Sequence, residues 1–112
     1  MKNIVNETEY NVDSGEAYYL TITFGNGQDG DSSFRDVEGQ YHTGSIINIK
    51  IGTGAKLEGT FILIGSLVTD TNPDTNKTSI SYYINGEEVE TYSEDVEEDN
   101  SAIYYTTFIK FI

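Results

Sequence analysis

The stretch Ser79-Ile80-Ser81-Tyr82-Tyr83-Ile84-Asn85-Gly86-Glu87-Glu88-Val89-Glu90-Thr91-Tyr92, SISYYINGEEVETY, decides the fold class. Asn85-Gly86 is the dipeptide that accepts positive φ at both central positions of a two-residue turn. β-Branched and aromatic residues flank it, so the segment reads as a β-hairpin. Pairing outward from the turn sets Ile84 opposite Glu87, Tyr83 opposite Glu88, Tyr82 opposite Val89 and Ile80 opposite Thr91. On that register Ile80, Tyr82, Val89 and Thr91 form the core face, while Tyr83 and Glu88 face solvent.

The same two-residue period recurs along the chain. In AYYLTITF (17–24), Tyr18, Leu20, Ile22 and Phe24 point one way and Tyr19, Thr21 and Thr23 the other. SIINIKI (45–51) places Ile47, Ile49 and Ile51 inward against Ile46, Asn48 and Lys50. GTFILIGSLV (59–68) is apolar on both faces, with Phe61, Leu63 and Leu67 on one and Ile62, Ile64 and Val68 on the other. That pattern predicts a central strand, with Gly65 marking a bulge or a close backbone approach. AIYYTTFIKFI (102–112) is apolar on both faces too, and a short first strand takes in Ile4 and Val5. The 20 residues from Gly25 to Gly44 either hide a strand around 34–37 or form an exposed loop.

Six or seven strands follow, with no helix long enough to cover a sheet face. The chain therefore reads as one all-β domain, 1–112, folded as an antiparallel β-sandwich that is immunoglobulin-like or jelly-roll-like. A small β-barrel is the second choice. The phrase YYINGEEVE resembles strand-turn-strand pieces of lectin-like and immunoglobulin-like sandwiches, but the cysteines and tryptophan of a true immunoglobulin domain are missing. No residue role is carried over from that resemblance.

Composition narrows the function. Nineteen acids against six bases give a net charge of -13, a field that repels nucleic-acid phosphates and anionic lipid surfaces and speeds encounter with a basic protein. No apolar run is long enough for a signal peptide or a membrane span, and cysteine is absent, which together read as a soluble, cytoplasmic protein. Catalysis has little to draw on. There is no cysteine nucleophile and one histidine, His42, so neither a zinc site nor a Ser-His-Asp triad has its parts. Arg35, Asp36 and His42 make the one polar cluster to inspect, and the chain reads as a non-enzyme.

Two stretches carry candidate sites. In TDTNPDTNKTS (69–79), Asp70, Asn72, Asp74 and Asn76 repeat the rhythm of a calcium loop. The glycine and glutamate of a true calcium loop are replaced by Thr75 and Ser81, so a turn around Pro73 accounts for the same residues. The loop at Asn26, Asp29 and Asp31 raises the same choice. Glu87, Glu88, Glu90, Glu94, Asp95, Glu97, Glu98 and Asp99 put eight carboxylates into 13 residues, with no base among them. With Tyr83 beside Glu88, this acidic segment is the expected contact for a partner with a basic surface. Read from sequence, the chain is a protein-protein interaction module, either of inhibitor or immunity type or a subunit of a larger assembly. The alternative is a calcium-dependent or carbohydrate-binding sandwich, and calcium is the one cofactor it implies.

Overall fold

The computed structural model describes residues 1–98 and 101–112. They form nine strands and one short helix: β1 (Lys2–Tyr10), β2 (Ala17–Phe24), β3 (Asp29–Arg35), β4 (Tyr41–Gly44), β5 (Ile49–Thr53), α1 (Gly54–Leu57), β6 (Phe61–Thr69), β7 (Lys77–Ile84), β8 (Glu87–Asp95) and β9 (Ala102–Phe111). A five-stranded sheet in the order β1-β9-β6-β3-β4 packs on a four-stranded sheet in the order β5-β2-β7-β8. The sheets stay separate, so the molecule is a sandwich and not a barrel. All pairings are antiparallel except that of β1 with β9, which is parallel.

Strand content exceeds expectation in two places. The stretch from Gly25 to Gly44 holds two strands, β3 and β4, joined by a turn over 36–40. β1 runs over nine residues, although its inward positions Ile4, Asn6, Thr8 and Tyr10 mix polar and apolar side chains and so hide the period.

Two registers differ from expectation. In the β7–β8 hairpin Ile84 faces Glu87 and Tyr83 faces Glu88, but Tyr82 then faces Glu90 and Ile80 faces Tyr92. The shift makes Val89 an extra, bulged residue, which turns every later side chain of β8 to the opposite side. Tyr92 rather than Thr91 therefore joins the core face, with its ring 6.1 Å from that of Tyr82. The second difference lies at Asn48, whose φ of 51° is a left-handed turn placed inside the run of isoleucines. Its backbone N–H is held by Thr21 Oγ1 at 2.8 Å. The kink resets the alternation, so Ile46 is in the core at 2% exposure and Ile47 is 69% exposed.

The core lies between the sheets. Tyr18, Leu20, Ile22, Ile80, Tyr82 and Ile84 come from the smaller sheet, and Ile62, Ile64, Val68, Ile103, Tyr105 and Ile109 from the larger. Each fully buried aliphatic side chain of this kind contributes about 1.5–3 kcal/mol of hydrophobic stabilisation. Three hydroxyl pairs thread this core: Tyr82 with Thr107 at 2.8 Å, Thr78 with Tyr105 at 2.8 Å, and Ser32 with Ser66 at 2.6 Å. Burial pushes the Tyr82 phenol far above the usual tyrosine range, a rise that its hydrogen bond with Thr107 only partly offsets. Among the described residues no helix is long and apolar enough to cross a membrane.

Candidate functional site

The strands that carry apolar residues on both faces lie at the centre of the five-stranded sheet. A two-layer sandwich covers only the inner side of each sheet, so the second apolar face of β6 and β9 points into solvent. Phe61 is 55% exposed, Leu63 46%, Leu67 39%, and Val5 on the neighbouring edge 69%. Register assembles them into rows, with Leu63 beside Phe108, Leu67 beside Tyr104, and Val5 beside Thr106. The Phe61 and Phe108 rings lie 5.6 Å apart.

Gly65 sits at the middle of this face, opposite Thr106 and Ser33. A Cβ on Gly65 would lie 2.0 Å from Tyr104 Oη, because the tyrosine ring reaches across the space that a side chain would fill. No bulge interrupts β6, and what closes on the glycine is a side chain and not the backbone that was expected. The result is a shallow groove of about 480 Å³, bordered by Ser33, Arg35, Tyr41, Phe61, Leu63 and Tyr104. The Arg35 guanidinium stacks 5.5 Å above the Tyr41 ring at one end. Acids stand around the face, Glu7 and Glu9 on β1 and Asp29 and Asp31 on β3, with Lys110 of β9 paired to Glu7.

The acidic segment lies elsewhere, on β8, the edge strand of the other sheet. Strand alternation and the bulge at Val89 divide its members. Glu88 faces Tyr83 on the outer side of that sheet. Glu90 and Glu94 fall on the side of Tyr82 and Thr78, half-buried at the rim between the sheets. Glu94 is 3.5 Å from Lys2, whose ammonium also donates to the Asp95 carbonyl at 3.1 Å. Glu87 begins the strand after the turn, Glu97 and Glu98 follow it as exposed residues, and Asp99 lies outside the described residues. Tyr83 is half-buried on β7.

The loop from Asp70 to Asn76 folds around a residue that sequence reasoning passed over. Buried Gln28 accepts from the N–H groups of Thr71 (2.8 Å) and Asn72 (2.9 Å) and donates to the carbonyls of Thr75 (3.2 Å) and Lys77 (2.9 Å). Asn72 donates to the Asn26 carbonyl at 2.8 Å and accepts from the Asp74 N–H at 3.0 Å, the local cap expected of an Asx turn. Asp74 is exposed and Asp70 buried. Among the described residues no three His, Cys, Asp or Glu side chains gather as a cation cluster.

Of Arg35, Asp36 and His42, the β3–β4 turn brings Asp36 and His42 together, while Arg35 lies over Tyr41 on the other face of the sheet. Asp36 Oδ1 accepts from the N–H groups of Glu38 (2.9 Å) and Gln40 (3.0 Å), and Oδ2 lies 2.8 Å from His42 Nε2. Burial alone would raise the Asp36 pKa, but the bonds from His42, Gln40 and Glu38 outweigh it and hold the carboxyl below its usual range. The His42 ring stacks on buried Phe34 at 5.0 Å. With both carboxylate oxygens engaged, Asp36 serves as the clamp of a turn.

The outer-face residues Phe61, Leu63, Leu67 and Phe108 were legible as apolar but not as a surface. The available signal was the combination of two-faced strands with the lack of any helix to cover the second face. Comparison with protein-family models, curated proteins and solved structures finds no match, so this surface is interpreted from its own geometry.

Proposed function

We propose that the protein is a non-enzymatic interaction module that docks another protein on the outer face of its five-stranded sheet. The observation that carries this reading is the contiguous exposure of Phe61, Leu63, Leu67 and Val5 on the strands around Gly65. Contiguous apolar surface of this kind marks contact sites, whereas scattered apolar residues do not. The groove under Tyr104 provides a recess for an anchoring side chain, the form that interface hot spots take.

Charge narrows the partner. With a net charge of -13 and Glu7, Glu9, Asp29 and Asp31 around the face, the complementary surface has an apolar centre and a lysine- or arginine-rich rim. The β8 acids, Glu87 to Asp95, steer the same partner from the adjoining edge. An inhibitor or immunity-type protein and an assembly subunit share this chemistry. The lack of cysteine fits a reducing compartment such as the cytoplasm.

The test is capture from the native cell extract by the wild type and by Leu63→Asp. Support requires a basic protein held by the wild type and lost to the variant, with the variant still folded at the temperature of the assay. Retention of the same protein by Leu63→Asp removes the face from the interaction.

A further inference from the structure

Each sheet of an open sandwich has two edges, and an unguarded edge is a template for another strand. Three of the four edges here are short, capped or bulged. β4 has only four residues and ends at Gly44, with φ of 96°. β5 has five residues, faces a register shift at Tyr18/Tyr19, and is capped by the bond from Val37 N–H to the Ile51 carbonyl at 3.2 Å. β8 is bulged at Val89 and lined with carboxylates.

β1 is long and unbulged, and its one guard is the pair of carboxylates Glu7 and Glu9 on the outer side. Its nine residues hold one unbroken register with β9, from Lys2 opposite Ile103 to Tyr10 opposite Phe111. Ile112 N–H donates to the Tyr10 carbonyl at 3.0 Å, and Val12 N–H to the Ile112 carbonyl at 3.0 Å. In a parallel ladder the bonded residues alternate. The even-numbered residues from Ile4 to Tyr10 therefore turn their backbone groups to β9, and Asn3, Val5, Glu7 and Glu9 turn theirs outward.

We infer that β1 receives a sixth strand from the partner, and that this strand is basic. Resting on the docking reading above, the inference names how the partner engages. Outward N–H and C=O groups at Asn3, Val5, Glu7 and Glu9 supply the ladder, and side chains at alternate positions supply the selectivity. On the outer face the incoming residues meet Val5, which continues the apolar surface, and then Glu7 and Glu9. On the inner side they meet the recess bordered by Tyr10, Glu87, Glu88 and Val89. Lys110 already pairs with Glu7, so Glu9 on the outer side and Glu87 and Glu88 at the recess are the carboxylates that select a strand carrying Lys or Arg. A second copy brings another -13 to the same lane and is repelled.

The experiment titrates the labelled protein with an end-capped eight-residue peptide of alternating lysine and valine, following amide exchange by NMR. The amides of Val5, Glu7 and Glu9 exchange freely in the unbound protein, and binding slows them by at least about tenfold. Val5→Pro removes one outward N–H while leaving the β1–β9 ladder intact, and weakens peptide binding by about tenfold or more. If that variant does not fold, a peptide N-methylated at alternate residues replaces it, and its failure to bind the wild type gives the same support.

Several outcomes overturn strand addition: no binding at millimolar peptide, protection of β8 amides instead of β1, or binding with the Val5 and Glu7 amides still in fast exchange. A dimer at high salt that Val5→Pro dissociates overturns the basic partner in favour of a second copy. Leu63→Asp separates the two readings. Binding lost to Leu63→Asp but kept by Val5→Pro leaves the docking face and ends the added strand. Binding kept by Leu63→Asp with β1 amides slowed does the reverse.

Discussion

The Tyr104 side chain occupies the place of the side chain that Gly65 lacks: a Cβ there would lie 2.0 Å from the phenol oxygen. The obstructing atom is the free end of a long side chain, so Gly65→Ala swings Tyr104 aside at a cost within about 1 kcal/mol. Gly54 provides the contrast, since its Cβ would lie 1.8 Å from the Asp13 carbonyl oxygen. Backbone cannot swing away, and Gly54→Ala costs about 1–3 kcal/mol. Denaturant midpoints of the two variants check the difference, and tyrosine resonances report the motion of Tyr104.

Adjacent residues on β6 are expected to differ sharply in what they cost. Ile64 is fully buried, and Ile64→Ala costs about 2–5 kcal/mol. Leu63 faces solvent, and Leu63→Asp costs about 1 kcal/mol or less. Equal losses for the two in urea unfolding would mean that the outer face is covered within the chain.

Tyr82 and Thr107 satisfy one another inside the core at 2.8 Å. Tyr82→Phe leaves the threonine hydroxyl buried without its partner and costs about 1–3 kcal/mol. Adding Thr107→Val removes the orphan, so the double variant loses less than the sum of the two single changes. The folded state also holds the Tyr82 phenol neutral, its pKa raised above that of the unfolded chain. The stability this gives is complete below about pH 10 and falls as the pH rises further. Tyr82→Phe flattens that alkaline decline, as unfolding curves between neutral and strongly alkaline pH will show.

Asp36 acts at the opposite end of the scale. Its carboxyl pKa is lowered in the fold, so its stabilisation is present above the unfolded value near pH 4 and is lost as acid protonates the folded form. Asp36→Asn reduces stability at neutral pH and shows a shallower acid limb than the wild type. An unchanged acid limb would remove Asp36 as the clamp of the 36–40 turn.

The Asp70–Asn76 loop depends on Gln28, which serves two backbone N–H groups and two carbonyls at once. Gln28→Ala costs about 1–3 kcal/mol, concentrated in the loop, where amide exchange rises first. Calcium or EDTA leaves the wild-type melting temperature where it is, because the loop backbone already encloses an amide. A rise of several degrees in millimolar calcium would support the metal reading of Asp70, Asn72, Asp74 and Asn76.

Local chemistry made the sandwich legible. Asn85-Gly86 places a hairpin where one forms, and the alternation in AYYLTITF assigns Tyr18, Leu20 and Ile22 to the core as found. Single-residue irregularities were not legible, because nothing in the residue types distinguishes the bulged Val89 from an ordinary strand valine. Asn48 is a better case: asparagine is among the few residues that accept the left-handed region, and its place between isoleucines is a signal that periodicity overlooks. Gln28 escaped notice because the partners of a buried amide are 43 to 49 residues away in the chain. The docking face was visible as apolar residues, but which side of β6 is covered is a property of the whole architecture.

Parallel pairing of β1 with β9 also has a mechanical consequence. The two strands run side by side in the same direction, so Lys2 and Phe111 lie at opposite ends of a long domain measuring 45 × 22 × 20 Å. Tension applied between those two residues acts along the strands and strains the rungs of their ladder together, in shear, instead of opening them one at a time. A strand laid along β1 would lie parallel to that load and share it.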